Sequence, residues 1–165
     1  MIHVTCGSYL STSLEIFLNF FASISYSEQK KYLLHINTHL LKQYAKQAGC
    51  SFNNCNISEI SDVTPNELCA ASIESALSIA KKNDLLLTLP AAKADLIFGR
   101  EQFLGHTEFL RSYWNLPSLP MTFITPSLIM LLLTDHIPLQ QITQKITSKL
   151  ICEKITLFFN SYPKF

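Results

Sequence analysis

Glycine is scarce in this 165-residue sequence, with only Gly7, Gly49, Gly99 and Gly105, and no three of them share one strand-to-helix turn. A dinucleotide fingerprint or a P-loop needs several glycines in one turn, so both are excluded. Charged residues are also few, at 15%, against about 25% in ordinary globular chains, which predicts a surface partly meant to be covered by a partner. Neither sign dominates, with 13 basic and 12 acidic residues, so there is no electrostatic footprint for nucleic acid or for an anionic membrane. The five cysteines, Cys6, Cys50, Cys55, Cys69 and Cys152, contain no CxxC pair. An odd, scattered set reads as reduced thiols acting as small buried hydrophobes. Long hydrophobic runs are missing as well. Residues 1–25 lack a basic leader and are interrupted by Glu15 and Asn19, and residues 123–133, broken by Thr125-Pro126-Ser127, are too short to span a bilayer. Together these absences predict a soluble, cytoplasmic protein.

What is present is a chain 48% hydrophobic, long enough to bury roughly 70% of its unfolded surface without disulfide or metal staples. Residues 2–6 are apolar and β-branched and end at Gly7, which predicts a buried strand; residues 14–24 carry apolar side chains at helical spacing. Residues 32–36 predict a second strand. Asn37-Thr38 then offers N-cap oxygens to a helix through Leu40, Leu41, Tyr44 and Ala48 that Gly49 closes. Residues 51–66, polar and containing Pro65, read as a connection with a short strand near Ile57, and as the internal seam of an otherwise single unit spanning residues 1–165. A helix over 67–82 and a buried strand over 84–89 follow. Short helices over 91–97 and 109–113, strands over 122–124 and 127–133, and helices over 139–146 and 148–159 complete the chain. Apolar strands alternating with helices predict an α/β fold, a three-layer α/β/α arrangement with a mostly parallel sheet covered on both faces.

Three segments fall at predicted strand ends, where α/β sheets bind their ligands. Thr88-Leu89-Pro90-Ala91-Ala92-Lys93 places Lys93 within reach of an anion or a carbonyl. Gly105-His106-Thr107-Glu108-Phe109 sets three polar groups beside a glycine. Thr134-Asp135-His136-Ile137-Pro138-Leu139 puts His136 between an apolar strand and a helix, a position suited to a metal ligand or base. Each has a plain structural alternative: a capping or surface role for His106, a helix-start hydrogen bond for His136, a solvated Lys93. His35 and His39 have the spacing of a helical metal pair, but His35 falls at a strand end, so the pair is rejected; His3 reads as a strand residue without a role.

In this order and at these separations, the three segments resemble the 4-hydroxythreonine-4-phosphate dehydrogenase family of vitamin B6 biosynthesis, with its T-[AG]-P-x-x-K, G-H-T-[ED]-F and H-[ILV]-P-L motifs. The last continues with an isoleucine or valine three residues on, here Ile142. The resemblance covers most of this chain but only the N-terminal half of the family, and implies an architecture like that of isocitrate and isopropylmalate dehydrogenases, here truncated. It implies NAD-dependent oxidation of 4-phosphooxy-L-threonine followed by loss of CO2, on the route to pyridoxal 5'-phosphate. His106 and Thr107 then contact substrate, with Lys93 beside them, and His136 is one of three histidines holding a divalent metal such as zinc, magnesium or cobalt. It also implies a homodimer or a complementing second chain.

The sequence departs from the family at its first turn. Where the family has G-D-P-x-G-[IV]-G-P-E, this chain reads Gly7-Ser8-Tyr9-Leu10-Ser11-Thr12-Ser13-Leu14-Glu15, without the acid, the prolines or the inner glycines. Leu89 stands where small residues are usual. The family's N-P-H-A-G-E and H-D-Q segments, which carry the other two metal histidines, and most NAD contacts fall beyond Phe165. Two expectations follow: half of a split or dimeric dehydrogenase, inactive as this chain alone, or a non-catalytic binding module that retains part of the substrate pocket.

Overall fold

The β-branched run at the N-terminus forms β1 (Ile2–Thr5), and the chain turns through Gly7 into α1 (Ser13–Ser23), whose buried Leu14, Phe17, Leu18 and Phe21 lie on one helical stripe. A one-turn helix α2 (Tyr26–Gln29), closed by a reciprocal Ser25–Glu28 capping box, leads to β2 (Tyr32–Ile36). α3 (Thr38–Ala48) starts where the Asn37 side chain accepts the Leu40 amide at 3.0 Å. It ends at Gly49, left-handed at φ 68°; both caps are those expected from the sequence. β3 (Ile57–Glu59), α4 (Leu68–Ile79) and β4 (Leu85–Thr88) complete a parallel sheet of order β3-β2-β1-β4. This computed structural model describes residues 1–9, 11–98, 101–103, 105–135 and 137–161, the side chains of 98 and 101 excepted.

The two faces of this sheet differ. Val4, Leu34 and Ile36 join Leu14, Phe17, Phe21, Leu41 and Tyr44 of α1 and α3 in the core. Because successive strand residues alternate sides, His3, Thr5 and His35 point the other way, where Ser75 of α4 bonds the His35 ring and Ser72 the His35 carbonyl. A sheet apolar on both sides was expected; the α4 side is instead a layer of imidazoles and hydroxyls. β4 differs from expectation too. It is an edge strand, with Leu85 65% and Leu87 41% exposed, because no other strand among the described residues pairs with its outer side.

After β4 come a 3-10 turn (Lys93–Asp95) and two short antiparallel strands, β5 (Ile97–Phe98) and β6 (Glu101–Gln102), where a helix over 91–97 was expected. The stretch after Pro90 is too short to offset the cost of helix nucleation. α5 (His106–Tyr113) begins three residues before the expected start, anchored by Phe109 against Phe103 at 5.2 Å between ring centroids.

The chain divides after Phe109 into two compact units, Met1–Phe109 and Leu110–Phe165. The expected seam at 51–66 lies inside the first unit and carries β3. In the second unit, β7 (Thr122–Ile124) and β8 (Ile129–Leu131) form an antiparallel hairpin about Pro126-Ser127 and so a sheet of their own. The four residues 125–128 between them are too few to carry a parallel crossover. A 3-10 turn (Leu139–Gln141), α6 (Ile142–Lys145) and α7 (Ser148–Ser161) follow. Phe123, Ile124, Ile129, Met130 and Phe159 are all exposed in this unit. Among the described residues no helix is long and apolar enough to cross a membrane.

Candidate functional site

The strand order sets where a ligand has room. The chain steps from β1 to β2 to β3 in one direction, and β4 lies on the other side of β1. Connections leaving β1 and β4 therefore diverge, opening a crevice at their carboxyl ends, the usual ligand position in such sheets. A cavity of about 400 Å³ is found there, lined by Ser8, Tyr9 and Ser11 after β1, Pro90 and Ala92 after β4, and Asn66 before α4. Its floor is tightly built. A Cβ on Gly7 would stand 1.9 Å from the Pro90 carbonyl oxygen, so only glycine lets the two loops approach. The Ser8 amide donates to that carbonyl at 3.3 Å, and the Ala92 amide donates to Ser8 Oγ at 2.7 Å.

The serines that replace the family's glycines close this turn upon itself. Ser11 Oγ donates to the Ser8 carbonyl at 2.7 Å and lies 2.5 Å from Ser13 Oγ. The Ser13 amide, at the start of α1, donates to Ser11 Oγ at 3.2 Å. Tyr9 and Tyr44 pin the loop through hydroxyls that donate to the Leu40 and Ser11 carbonyls. The Ser13 amide, which an open glycine turn would offer to a phosphate, is here engaged by the Ser11 hydroxyl, and the Ser8 and Ser11 amides by the Pro90 and Ser8 carbonyls.

Of the residues singled out from the sequence, His106 opens α5, half-buried, with Nε2 shielded from solvent and without a hydrogen-bond partner among the described residues. Burial pushes its pKa below the ordinary histidine value, leaving the imidazole neutral at neutral pH. Thr107 follows it, exposed. Lys93 starts the 3-10 turn beyond the crevice with an exposed side chain, and is not among the lining residues. Gly105 has open space around the position of a Cβ, so nothing in this chain's packing requires glycine there.

His136 lies outside the described residues. Its neighbours Asp135 and Ile137 line a second cavity, of about 890 Å³ and wholly within the second unit, together with Ser118, Leu157 and Lys154. Lys154 is only 8% exposed, and its Nζ donates to Ser118 Oγ at 2.6 Å. Among the described residues no group of three or more histidine, cysteine or acidic side chains could hold a metal ion. The described residues thus do not by themselves fit the divalent metal, nor does the serine-closed turn fit a dinucleotide pyrophosphate.

Sequence reasoning missed the groups on the α4 side of the sheet. His3 and His35, taken as a residue without a role and a discarded metal ligand, form a buried hydrogen-bonded pair at 2.9 Å. Helical spacing could not reveal it, because the pair joins neighbouring strands; His39, exposed on α3, turns to Gln43 instead.

Residues 18–165 match the family described as pyridoxal phosphate biosynthetic protein PdxA. The match starts beyond the altered first turn and includes both the Gly105–Phe109 and His136–Leu139 segments. Among solved structures, the chain is similar to the crystal structure of a 4-hydroxythreonine-4-phosphate dehydrogenase from Burkholderia phymatum, with a TM-score of 0.79 and 18% identity, over 94% of this chain and 56% of that one. It therefore spans a little over half the length of that protein. No match was found among the curated proteins.

Proposed function

The chain belongs to the pyridoxal phosphate biosynthetic protein PdxA family, and from that membership we propose that it supplies the substrate-binding half of a 4-hydroxythreonine-4-phosphate dehydrogenase. The observation that carries this reading is the state of His106. A buried polar atom without a partner costs about 1–3 kcal/mol, and an oxygen of a phosphorylated hydroxy amino acid at Nε2 would remove that cost. The neutral imidazole can accept a proton from a hydroxyl or donate one to an oxygen, according to its tautomer. Thr107, the next residue, adds a second hydroxyl contact. The roles of these groups are to bind and orient.

NAD and a divalent metal enter this reading through the family alone, with His136 as the metal ligand this chain would contribute. Since the described residues assemble a site for neither, no chemical step is assigned to the chain by itself. A second chain with the family's remaining segments completes the site. Support for such a partner comes from apolar surface left bare in each unit: Leu85 and Leu87 on the edge of β4 in the first, Phe123, Met130 and Phe159 in the second. The serine-closed turn favours a second reading, a binding module that holds the phosphorylated ligand without turning it over.

The test is NADH formation from 4-phosphooxy-L-threonine with a divalent metal, run with the chain alone and with a polypeptide carrying the family's C-terminal half. The chain alone is expected to be inactive and the pair active, with His106→Gln lowering kcat/KM roughly 10- to 100-fold. Calorimetric binding lost in His106→Gln, without turnover in either arrangement, would select the binding module. Neither binding nor turnover would refute both readings.

A further inference from the structure

Four side chains form one continuous hydrogen-bonded chain across the α4 side of the sheet. Asp84, just before β4, lies 3.2 Å from His3 Nε2 on β1. His3 Nδ1 lies 2.9 Å from His35 Nε2 on β2, and His35 Nδ1 lies 2.9 Å from Ser75 Oγ on α4. Both imidazoles are buried, His3 at 3% and His35 at 0% exposure. Asp84 is held ionised, its pKa pushed well below the usual carboxylate range by the terminal ammonium of Met1, the Lys81 amide and His3.

Proton positions along this chain follow from the chemistry of its end. The Asp84 carboxylate can only accept, so His3 Nε2 carries a hydrogen and, in the neutral ring, Nδ1 accepts. His35 must then donate from Nε2 and accept at Nδ1, and the Ser75 hydroxyl donates to it. Every group is satisfied with both rings neutral. Adding one proton at His3 Nδ1 makes His3 donate to His35. His35 then changes tautomer and donates from Nδ1 to Ser75, and the cation rests against Asp84. Every group is again satisfied. A second proton sets two N–H groups head to head in a buried site and leaves no such arrangement.

We propose that Asp84, His3, His35 and Ser75 form a proton-operated latch between the sheet and α4, which reverses polarity on taking up one proton and opens on taking up a second. Other ionisable groups nearby do not enter the chain. Cys69 and Glu74 of α4 hydrogen-bond neither imidazole. Ser72, one turn from Ser75 on α4, accepts the Cys6 amide and donates to the His35 carbonyl, a second tie between the same helix and the sheet.

Burial, and secondarily the neighbouring His3, hold the His35 pKa at about 4 against an ordinary 6.5. Between these values the unfolded chain binds a proton at this residue that the folded chain refuses, so stability falls as pH is lowered from 6.5 toward 4. This raises the unfolding constant about 30-fold between about pH 7.5 and pH 5. Urea denaturation of the full chain at both pH values, compared with the His3→Val/His35→Leu double variant, isolates that component; His106 titrates in both proteins and cancels. The variant is expected to lack the 30-fold component, and an unchanged pH dependence would overturn the latch. Imidazole nitrogen NMR of the wild type tests it without substitution. The hydrogen on His35 should move from Nε2 to Nδ1 as the pair takes up its first proton, and a first proton taken up without that tautomer change, or two cationic rings in the folded protein, would refute it.

Discussion

Gly7→Ala is expected to lower the thermal midpoint by roughly 10 °C, about 3 kcal/mol for a chain of this size. The added methyl would sit 1.9 Å from the Pro90 carbonyl oxygen and 2.8 Å from the Pro90 carbonyl carbon. Neither neighbour is a flexible side-chain tip, so the strain is relieved only by moving one loop away from the other. That movement also lengthens the Ser8 amide bond to Pro90 and the Ala92 amide bond to Ser8 Oγ, which together form the crevice floor. Gly105→Ala is the matched control, since a Cβ there meets nothing within 4 Å, and its midpoint should change by about 1 °C or less. Differential scanning calorimetry of the two variants decides the point. Equal midpoints would mean that the β1 and β4 loops are not in contact and that the crevice is not built as described.

Ser72→Ala is expected to cost about 2–4 kcal/mol, from two buried backbone groups losing a partner at about 1–3 kcal/mol each. Ser72 Oγ accepts the Cys6 amide at 2.6 Å and donates to the His35 carbonyl at 2.6 Å, bridging β1 and β2 at their carboxyl ends. Alanine fills the space without replacing either bond. The exposed Ser78, whose hydroxyl bonds only to the Ser75 carbonyl within its own helix, should tolerate alanine within about 0.5 kcal/mol. Urea unfolding of both variants measures the difference, and a Ser72→Ala cost no larger than that of Ser78→Ala would show that the bridge is not stabilising.

Elements governed by local chemistry were legible in the chain. Asn37 and Gly49 delimit α3 because a capping oxygen and a left-handed residue act within a single turn. The apolar stripe of α1 announced its buried face for the same reason. Boundaries slipped where local signals were weak, as at the 3-10 turn Lys93–Asp95, and the hairpin of β7 and β8 was read as two separate strands although Pro126-Ser127 marked its turn. The recognition segment Gly105–Phe109 was legible as a motif, but the isolation of His106 Nε2 was not, since it depends on what surrounds α5.

By itself the sequence determined the α/β class, the family, and where the well-capped helix α3 begins and ends, because periodicity, caps and motif spacing are properties of neighbouring residues. Only the tertiary structure decided which groups meet across strands and loops. Parallel pairing sets Thr5 of β1 beside His35 of β2, 30 residues apart in sequence, and brings the imidazoles of His3 and His35 together on one face. The same pairing brings β4 beside β1, so that Gly7 faces Pro90. Scarce glycine, the first property of the sequence to be read, thereby gained its meaning: the first turn keeps glycine at the one position where another backbone passes too close for a side chain.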